Sequence, residues 1–511
     1  MQYTRQNVWE LGDDWDPMIL WYARGVAAMK ARALAEPIAW RFYGAIHGIE
    51  PQLWTQLGYL SSSDKMPSKA DVARFWKQCQ HGSWYFLPWH RGFVLALEAN
   101  IRAAVTKLGG PADWALPYWN YFKPNQNALP HAFASPNWPD GQGNNPLFVQ
   151  QRYGPQNDGN VVVPVDEINL NAMGDPDFTG VSSGGGPGFG GVDTGFEHAG
   201  SVHGGIETQP HDWVHGLVGG SDPKNAQLPG LMSDPDTAGL DPIFWLHHAN
   251  LDRLWEVWRQ NPPAHVDPTA ANWLEGPGNI GERIFSMPMP DGKPWNYTPT
   301  EMADLSKLGY TYDDLSPAAP AVQPAQRMLL LGASAATVSA MEGVAAVPTA
   351  KNVELVGASA GPLSISGSSA HTSVQLDAGV RSKVSASLVA AAQGTQPDRV
   401  FLNLENVRGL VDSTAFRVYV GLPPGANPAD HPERLAGSIA LFGVRKATVA
   451  DEEHAGKGLT FVLEITNIVD ALHLNNAFDV GSLDVQIVPV RPVPQEAQIS
   501  IGRVSIFRQG R

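Results

Sequence analysis

All 17 tryptophans of this 511-residue chain lie between Trp9 and Trp295. A chain of this length exceeds what one core supports, so the asymmetry predicts two domains built from different material. Tyrosine follows the same rule, with only Tyr419 beyond Tyr312, and eleven of the 15 histidines lie at or before His265. Composition then shifts at Ser316 to an Ala/Pro/Val/Ser run, SPAAPAVQPAQ, that reads as linker. The expected division is a domain over 1–315, a linker over 316–350 and a second domain over 351–511.

The stretch up to 315 reads as mainly α-helical with long loops. Ile38, Phe42, Ile46 and Ile49 recur at helical spacing behind Pro37, which fits a first helical turn. Phe93, Val94, Leu97, Ile101, Val105 and Leu108 repeat the pattern over 89–108, closed by Gly109-Gly110-Pro111. A third amphipathic stretch runs from Pro242 to Trp258. Residues 122–200, rich in Gly, Pro and Asn, predict long loops with a flexible tip, SSGGGPGFGG, at Ser182–Gly191. Beyond Lys351 the pattern becomes short, β-branched and alternating: Asn352–Val356, Thr372–Leu376, Val400–Leu404, Ala415–Val420, Leu459–Ile465, Leu483–Val488 and Gln498–Phe507. Gly, Pro, Asn and Asp separate these segments, as in an all-β sandwich. The expected fold class is therefore multidomain, a mainly α domain followed by an all-β, sandwich-like one.

Charge and composition exclude several classes. A formal net charge of -15 argues against binding nucleic acid through a phosphate-neutralising surface. No apolar run reaches the roughly 18 residues a membrane span needs. Met1–Trp9 lacks a basic segment followed by an apolar one, and the single cysteine, Cys79, suits a reducing compartment. The expected location is the cytoplasm, although assisted export would leave no mark.

Histidine is where the chemistry concentrates. Four segments carry it: FYGAIHG ending at His47-Gly48, HGSWYFLPWHRGFVLALE over His81–Glu98, PHDWVHGLVGG from Pro210, and DPIFWLHHANLDRLW from Asp241. His211 and His215, four apart, share one helical face and can reach one metal, although such a pair is often coincidental. No Glu follows His211, so the zinc-protease HExxH pattern is absent. His81 and His90, nine apart, would lie on opposite sides of one helix. Pro88 resolves this by placing His81 before a helix that starts near Trp89 and His90 in its first turn. Spacing alone leaves open a surface histidine beside a helix-end one. His247 and His248 are adjacent, about 100° apart on a helix, so one is expected to face away from the site. Asp252, four after His248, is placed either to hydrogen-bond that ligand or to pair with Arg253 or a neighbour.

Imidazole suits copper, zinc, iron and nickel. Three neutral histidines per metal, without carboxylate or thiolate ligands, disfavour non-haem iron oxygenases and di-zinc hydrolases. An all-imidazole shell holds Cu(I) and Cu(II) alike, so the residues favour two copper ions that react with O2.

With these segments the chain resembles the tyrosinase family, which shares a type-3 dicopper domain with catechol oxidases and mollusc haemocyanins. Residues 81–98 are similar to the first copper signature at His81, Phe86, Trp89-His90-Arg91, Val94 and Glu98. Residues 241–252 are similar to the second at Asp241-Pro242, Phe244, His248 and Asp252. The similarity covers roughly the first 315 residues. The resemblance implies a four-helix bundle with His47, His81 and His90 on one copper and His211, His215 and His248 on the other. His247 becomes a non-ligand neighbour. O2 is then co-substrate, and small phenols are ortho-hydroxylated or, as o-diphenols, oxidised to o-quinones.

Finer features come with the resemblance. Cys79-Gln80-His81 is similar to the Cys-x-His of fungal tyrosinases, in which the cysteine forms a thioether with the ligand; an ordinary buried thiol is the alternative. Glu207 matches a glutamate that holds a water able to take the phenol proton, with a solvated loop acid as alternative. The residue after the first second-site histidine is commonly Asn and here is Asp212, which either accepts a proton itself or repels Glu207. Gly216 adds no bulk over the second site. Tyr310-Thr311-Tyr312 is similar to the Tyr-x-Tyr that ends the catalytic domain, with Arg5 as cation–π partner. The tail, with FRVYVGLPPG at Phe416–Gly425, resembles the domain that shields the copper site in longer tyrosinases. Two rivals stand: a catechol or o-aminophenol oxidase without efficient monophenol hydroxylation, which Asp212 supports, and a haemocyanin-type O2 carrier, against which Glu207 speaks. A homo-oligomer and a copper-delivery partner are both compatible with the reading.

Overall fold

Strand β1 (Tyr3–Arg5) pairs in parallel with β2 (Tyr310–Tyr312), so both ends of the first region meet in one small sheet. The computed structural model describes residues 2–141, 143–260, 265–316, 352–391, 397–450, 456–475, 477–478 and 481–510. The expected linker falls outside the described residues, Ser316 excepted.

Five helices position the chemistry. In α1 (Pro17–Lys30) the Asp16 side chain accepts from Met18 N and Pro17 opens the first turn. Helix α2 (Trp40–His47) starts three residues after Pro37, not at it. Helix α3 (Phe86–Lys107) begins earlier than expected, and Pro88 sits inside its first turn, where a missing N–H costs nothing. His90 therefore falls in the second turn. Helix α4 (Trp213–Gly219) follows a wide turn, and α5 (Pro242–Arg259) is capped by Asp241 accepting from Ile243 N. Helix α3 packs on both α1 and α5. The helices that carry histidines are unequal: α3 has 22 residues and α5 has 18, whereas α2 has 8 and α4 has 7. The region is thus a helical core with long loops.

The second region is one nine-stranded antiparallel sheet, where a two-sheet sandwich was expected. Its strands are β3 (Val353–Ser359), β4 (Leu363–Ile365), β5 (Ala370–Leu376), β6 (Arg399–Arg408), β7 (Ala415–Val420), β8 (Leu435–Ala440), β9 (Leu459–Glu464), β10 (Ser482–Pro489) and β11 (Ile499–Gln509). Their spatial order is β8-β7-β10-β5-β3-β11-β6-β9, with β4 beside β11. All seven expected segments overlap strands, with Asn352, Ile465 and Gln498 just outside them. The sheet curls until its end strands approach, Gly437 of β8 lying against Leu463 of β9, so it nearly closes. Closure needs no second sheet, because helices Ala378–Ala391 and Thr466–Leu474 contribute Val384, Leu388, Val469 and Leu472 to the core.

Each region has its own core, aromatic in the first and aliphatic in the second. Two residues cross over: Ala440 and Phe442 belong to the core of the helical region. The expected flexible tip is also part of this contact. Gly184 to Gly191 are buried, and a Cβ on Gly184 would stand 2.5 Å from Phe507 of β11. The glycine run lets the loop backbone pack directly against side chains of the β region. Arg399 of β6 adds an ion pair to Asp175 at 3.0 Å, and Thr460 N donates to Ser201 O at 2.6 Å.

Candidate metal centre

Six histidines converge at the middle of the helical core. His47 ends α2, His81 comes from the loop before α3, His90 from α3, His211 from the turn before α4, His215 from α4 and His248 from α5. All are buried. Ring centroids within the first trio are 5.2, 5.8 and 5.7 Å apart, and within the second 4.5, 5.1 and 5.6 Å. The trios meet where His90 stacks on His248 at 4.3 Å.

Hydrogen bonding decides which nitrogen faces inward. The Nδ1–H groups of His47, His90 and His215 donate to the carbonyls of Pro235, Phe86 and Met232 at 2.7, 2.8 and 2.7 Å. Each ring then carries its lone pair on Nε2. Burial pushes the His47 imidazole down to about 4 and the His247 imidazole to about 3, and burial with mutual repulsion holds His81, His90, His211, His215 and His248 far below 6.5. All are therefore neutral donors at pH 7. Yet Nε2 of His47 and of His211 has no hydrogen-bond partner among the described residues, and Nε2 of His215 faces Nε2 of His248 at 3.4 Å. Buried lone pairs aimed at one another cost free energy that a metal cation removes. The donor set therefore fits two copper ions.

Two groups of four emerge, with ligand atoms within 4.8 Å of one another: His47, Cys79, His81, His90, and His211, His215, His247, His248. The His247 ring lies beside the second trio, 5.0 Å from His215 and 5.6 Å from His211, while its Nδ1 meets the Tyr121 hydroxyl at 3.2 Å. Cys79 is buried as a neutral thiol, 3.5 and 3.6 Å from the His81 ring nitrogens and 3.3 Å from His90 Nε2.

Glu207 is fully buried, not a solvated loop acid, and accepts from Gly82 N at 3.0 and 3.1 Å and from Gly204 N at 3.4 Å. Burial raises it to about 8; His203 works against that rise and Asp212 adds to it. Asp212 does not point a free oxygen at a substrate. One oxygen accepts from His211 Nδ1 at 2.8 Å and the other from His203 Nδ1 at 2.7 Å. His203, a lone histidine in a Gly-rich stretch, carried no spacing signal in sequence.

Asp252 requires correction too. It makes no hydrogen bond with His248, because Arg91 and Arg5 take its oxygens, with Tyr310 OH adding a bond at 2.6 Å. Arg5 in turn bonds Glu98 at 2.6 Å and lies 4.0 Å from the Tyr310 ring centroid. The charged residues of both motifs thus lock α3, α5, β1 and β2 together.

The β region supplies a cover. Phe442 follows β8 and stacks on His215 at 4.3 Å, with His81 and His211 at 5.5 Å each. Beneath it, Ala440 lies 3.7 Å from the place a Cβ on Gly216 would occupy. The space left beside Phe442, His81 and His203 is about 20 Å³, enough for a water and far too small for a phenol. Arg445 and Lys446 pin this loop through Asp234 at 2.6 Å, Glu50 at 2.6 Å and Asp236 at 2.8 Å.

Two neighbouring all-imidazole positions, buried in a helical core under a β-rich cover, define a binuclear copper protein. The family described as the common central domain of tyrosinase matches residues 37–261, and a domain family of unknown function matches 352–509. A tyrosinase of Hahella sp. (strain CCB-MM4) is 33% identical over 518 residues, covering 99% of each chain. The latent polyphenol oxidase of Prunus armeniaca is 30% identical over 38% of this chain and 32% of its own. Latent apple tyrosinase superposes with a TM-score of 0.58 at 19% identity, over 99% of this chain and 97% of its own, which shows the shared fold. The chain belongs to the tyrosinase family of copper-dependent phenol oxidases. No described helix is long and apolar enough to cross a membrane.

Proposed function

We propose that the protein ortho-hydroxylates monophenols and oxidises o-diphenols to o-quinones, with O2 as oxidant, once Phe442 is displaced. The observation that carries this reading is the Phe442 ring stacked on His215, because an aromatic ring already fills the place a phenol needs. Two copper ions held by His47, His81 and His90, and by His211, His215 and His248, would supply the redox chemistry when bound. His248, not His247, takes the second position on the family resemblance. The residues do the rest. His215 offers a flat face to the ring, and Gly216 leaves room beside it for ring substituents. Glu207, raised by burial to about 8, takes the phenol proton in its ionised form, which gains population as pH approaches that value, through a water between it and the substrate oxygen.

A second reading has specific support. With both Asp212 oxygens given to histidines, one proton acceptor fewer faces the substrate, as suits a catechol or o-aminophenol oxidase. Copper-loaded full-length protein and its Phe442→Ala variant, given tyrosine, catechol and o-aminophenol separately while O2 uptake is followed, decide the matter. Turnover of tyrosine supports the proposal; turnover of catechol or o-aminophenol alone supports the narrower oxidase. O2 binding with no turnover defeats both.

A further inference from the structure

The oriented ligand histidines are not held alike. His47, His90 and His215 donate Nδ1–H to peptide carbonyls, whereas His211 donates to a carboxylate, Asp212 Oδ1, at 2.8 Å. A carboxylate is the stronger acceptor and raises the donor strength of the opposite ring nitrogen. It also has side-chain torsions that a peptide carbonyl lacks, so it orients its partner only if something orients it.

That something is His203. Among the described residues it is the side chain, besides His211, that bonds the Asp212 carboxylate, with Nδ1 2.7 Å from Oδ2. It stands outside both metal trios and is 5% exposed, its ring 6.3 Å from His81 and 6.4 Å from Phe461 of β9. Its own placement is fixed from the cover: Val202 bridges to Thr460, and Thr460 N donates to Ser201 O. We infer that His203 is a positioning residue for the second metal position, holding Asp212 so that the carboxylate sets the orientation and donor strength of His211. The inference rests on the dicopper reading above, and it makes the second copper dependent on a residue that touches neither metal nor substrate.

The test uses full-length copper-loaded protein and follows copper release to a chelator. In His203→Leu, one of the two coppers should leave about 10- to 100-fold faster than in the parent, the other unchanged. His203→Asn places an amide nitrogen where Nδ1 stands and should recover most of the retention. In an Asp212→Ala background, His203→Leu should add nothing, because its effect runs through the carboxylate. Unfolding temperatures of the metal-free forms show whether a variant has simply lost its fold, and the Asn variant keeps the test decisive if the Leu variant has. Equal release in parent and His203→Leu overturns the inference, as do additive effects with Asp212→Ala. A third copper in the parent that His203→Leu abolishes also overturns it, by assigning His203, Glu207 and Asp212 to a metal. Fewer than two coppers in the parent would instead sink the dicopper reading itself.

Discussion

The two metal positions share three imidazoles each but are finished by different means. The first is completed from nearby in the chain: Cys79 lies two residues before His81, and its sulfur is 3.3 to 3.6 Å from the ring nitrogens of His81 and His90. The second adds a distant cover to local support, with Asp212 and His203 behind His211 and Phe442 of the β region over His215. Local closure suits a metal that stays put. A cover from a distant region suits a position whose access can change, and on the proposed reading the place that Phe442 fills is where a substrate would sit.

Ligand loss should expose the contrast most strongly. His90→Ala removes a first-position donor and His248→Ala a second-position one. Each is expected to lower copper below two per chain and cut phenol oxidation by roughly three orders of magnitude. Copper analysis beside an O2-uptake assay reads both, and full activity in either variant would erase the distinction between ligands and neighbours such as His247. Uncovering comes next. Phe442→Ala should raise oxidation of bulky diphenols by about 10-fold, mostly through KM, while leaving copper content intact; an unchanged KM would mean Phe442 is packing and not a cover.

The sulfur should matter only to the first position. We predict that Cys79 Sγ bonds a His81 ring carbon once copper and O2 are present, losing the thiol and ring hydrogens with two electrons to the O2-loaded site. Intact-mass measurement should find the copper-treated chain two hydrogens lighter and without a reactive thiol. Full mass in active protein contradicts this.

The smallest effect concerns the clamp behind Phe442. Asp234, Glu50 and Asp412 share Arg445, the last at 3.6 Å, and burial with the nearby Asp234 pushes Asp412 up to about 8 against the pull of Arg445. Asp412 thus binds its proton more tightly folded than unfolded, where its value is about 3.9. Stability contributed here is greatest at low pH and falls as pH rises from about 4 through 8. Asp412→Asn should flatten that slope, worth a few degrees in unfolding temperature. An identical pH profile would place the proton elsewhere.

What sequence could reveal divides along the same line. The helix over 89–108, the helix from Pro242 and all seven strand segments were legible because hydrophobic period and Gly/Pro punctuation are local signals. The histidine pairs were legible because their spacing is local as well. His203 and Phe442 were not: His203 stands nine residues from Asp212, a separation with no helical or ligand pattern, and Phe442 acts on partners far along the chain. Asp252 misled for the same reason: helical spacing put it near His248, and Arg5, 247 positions away, claimed it. The glycine tip at 184–191 read as freedom because its partners, Phe401 and Phe507, lie in the other region.

Copper content of the purified, reconstituted chain tests the central claim most directly. Two ions per chain, falling to fewer in the His90→Ala and His248→Ala variants, is the predicted result. One ion or none in the parent, or two that survive both substitutions, contradicts the account.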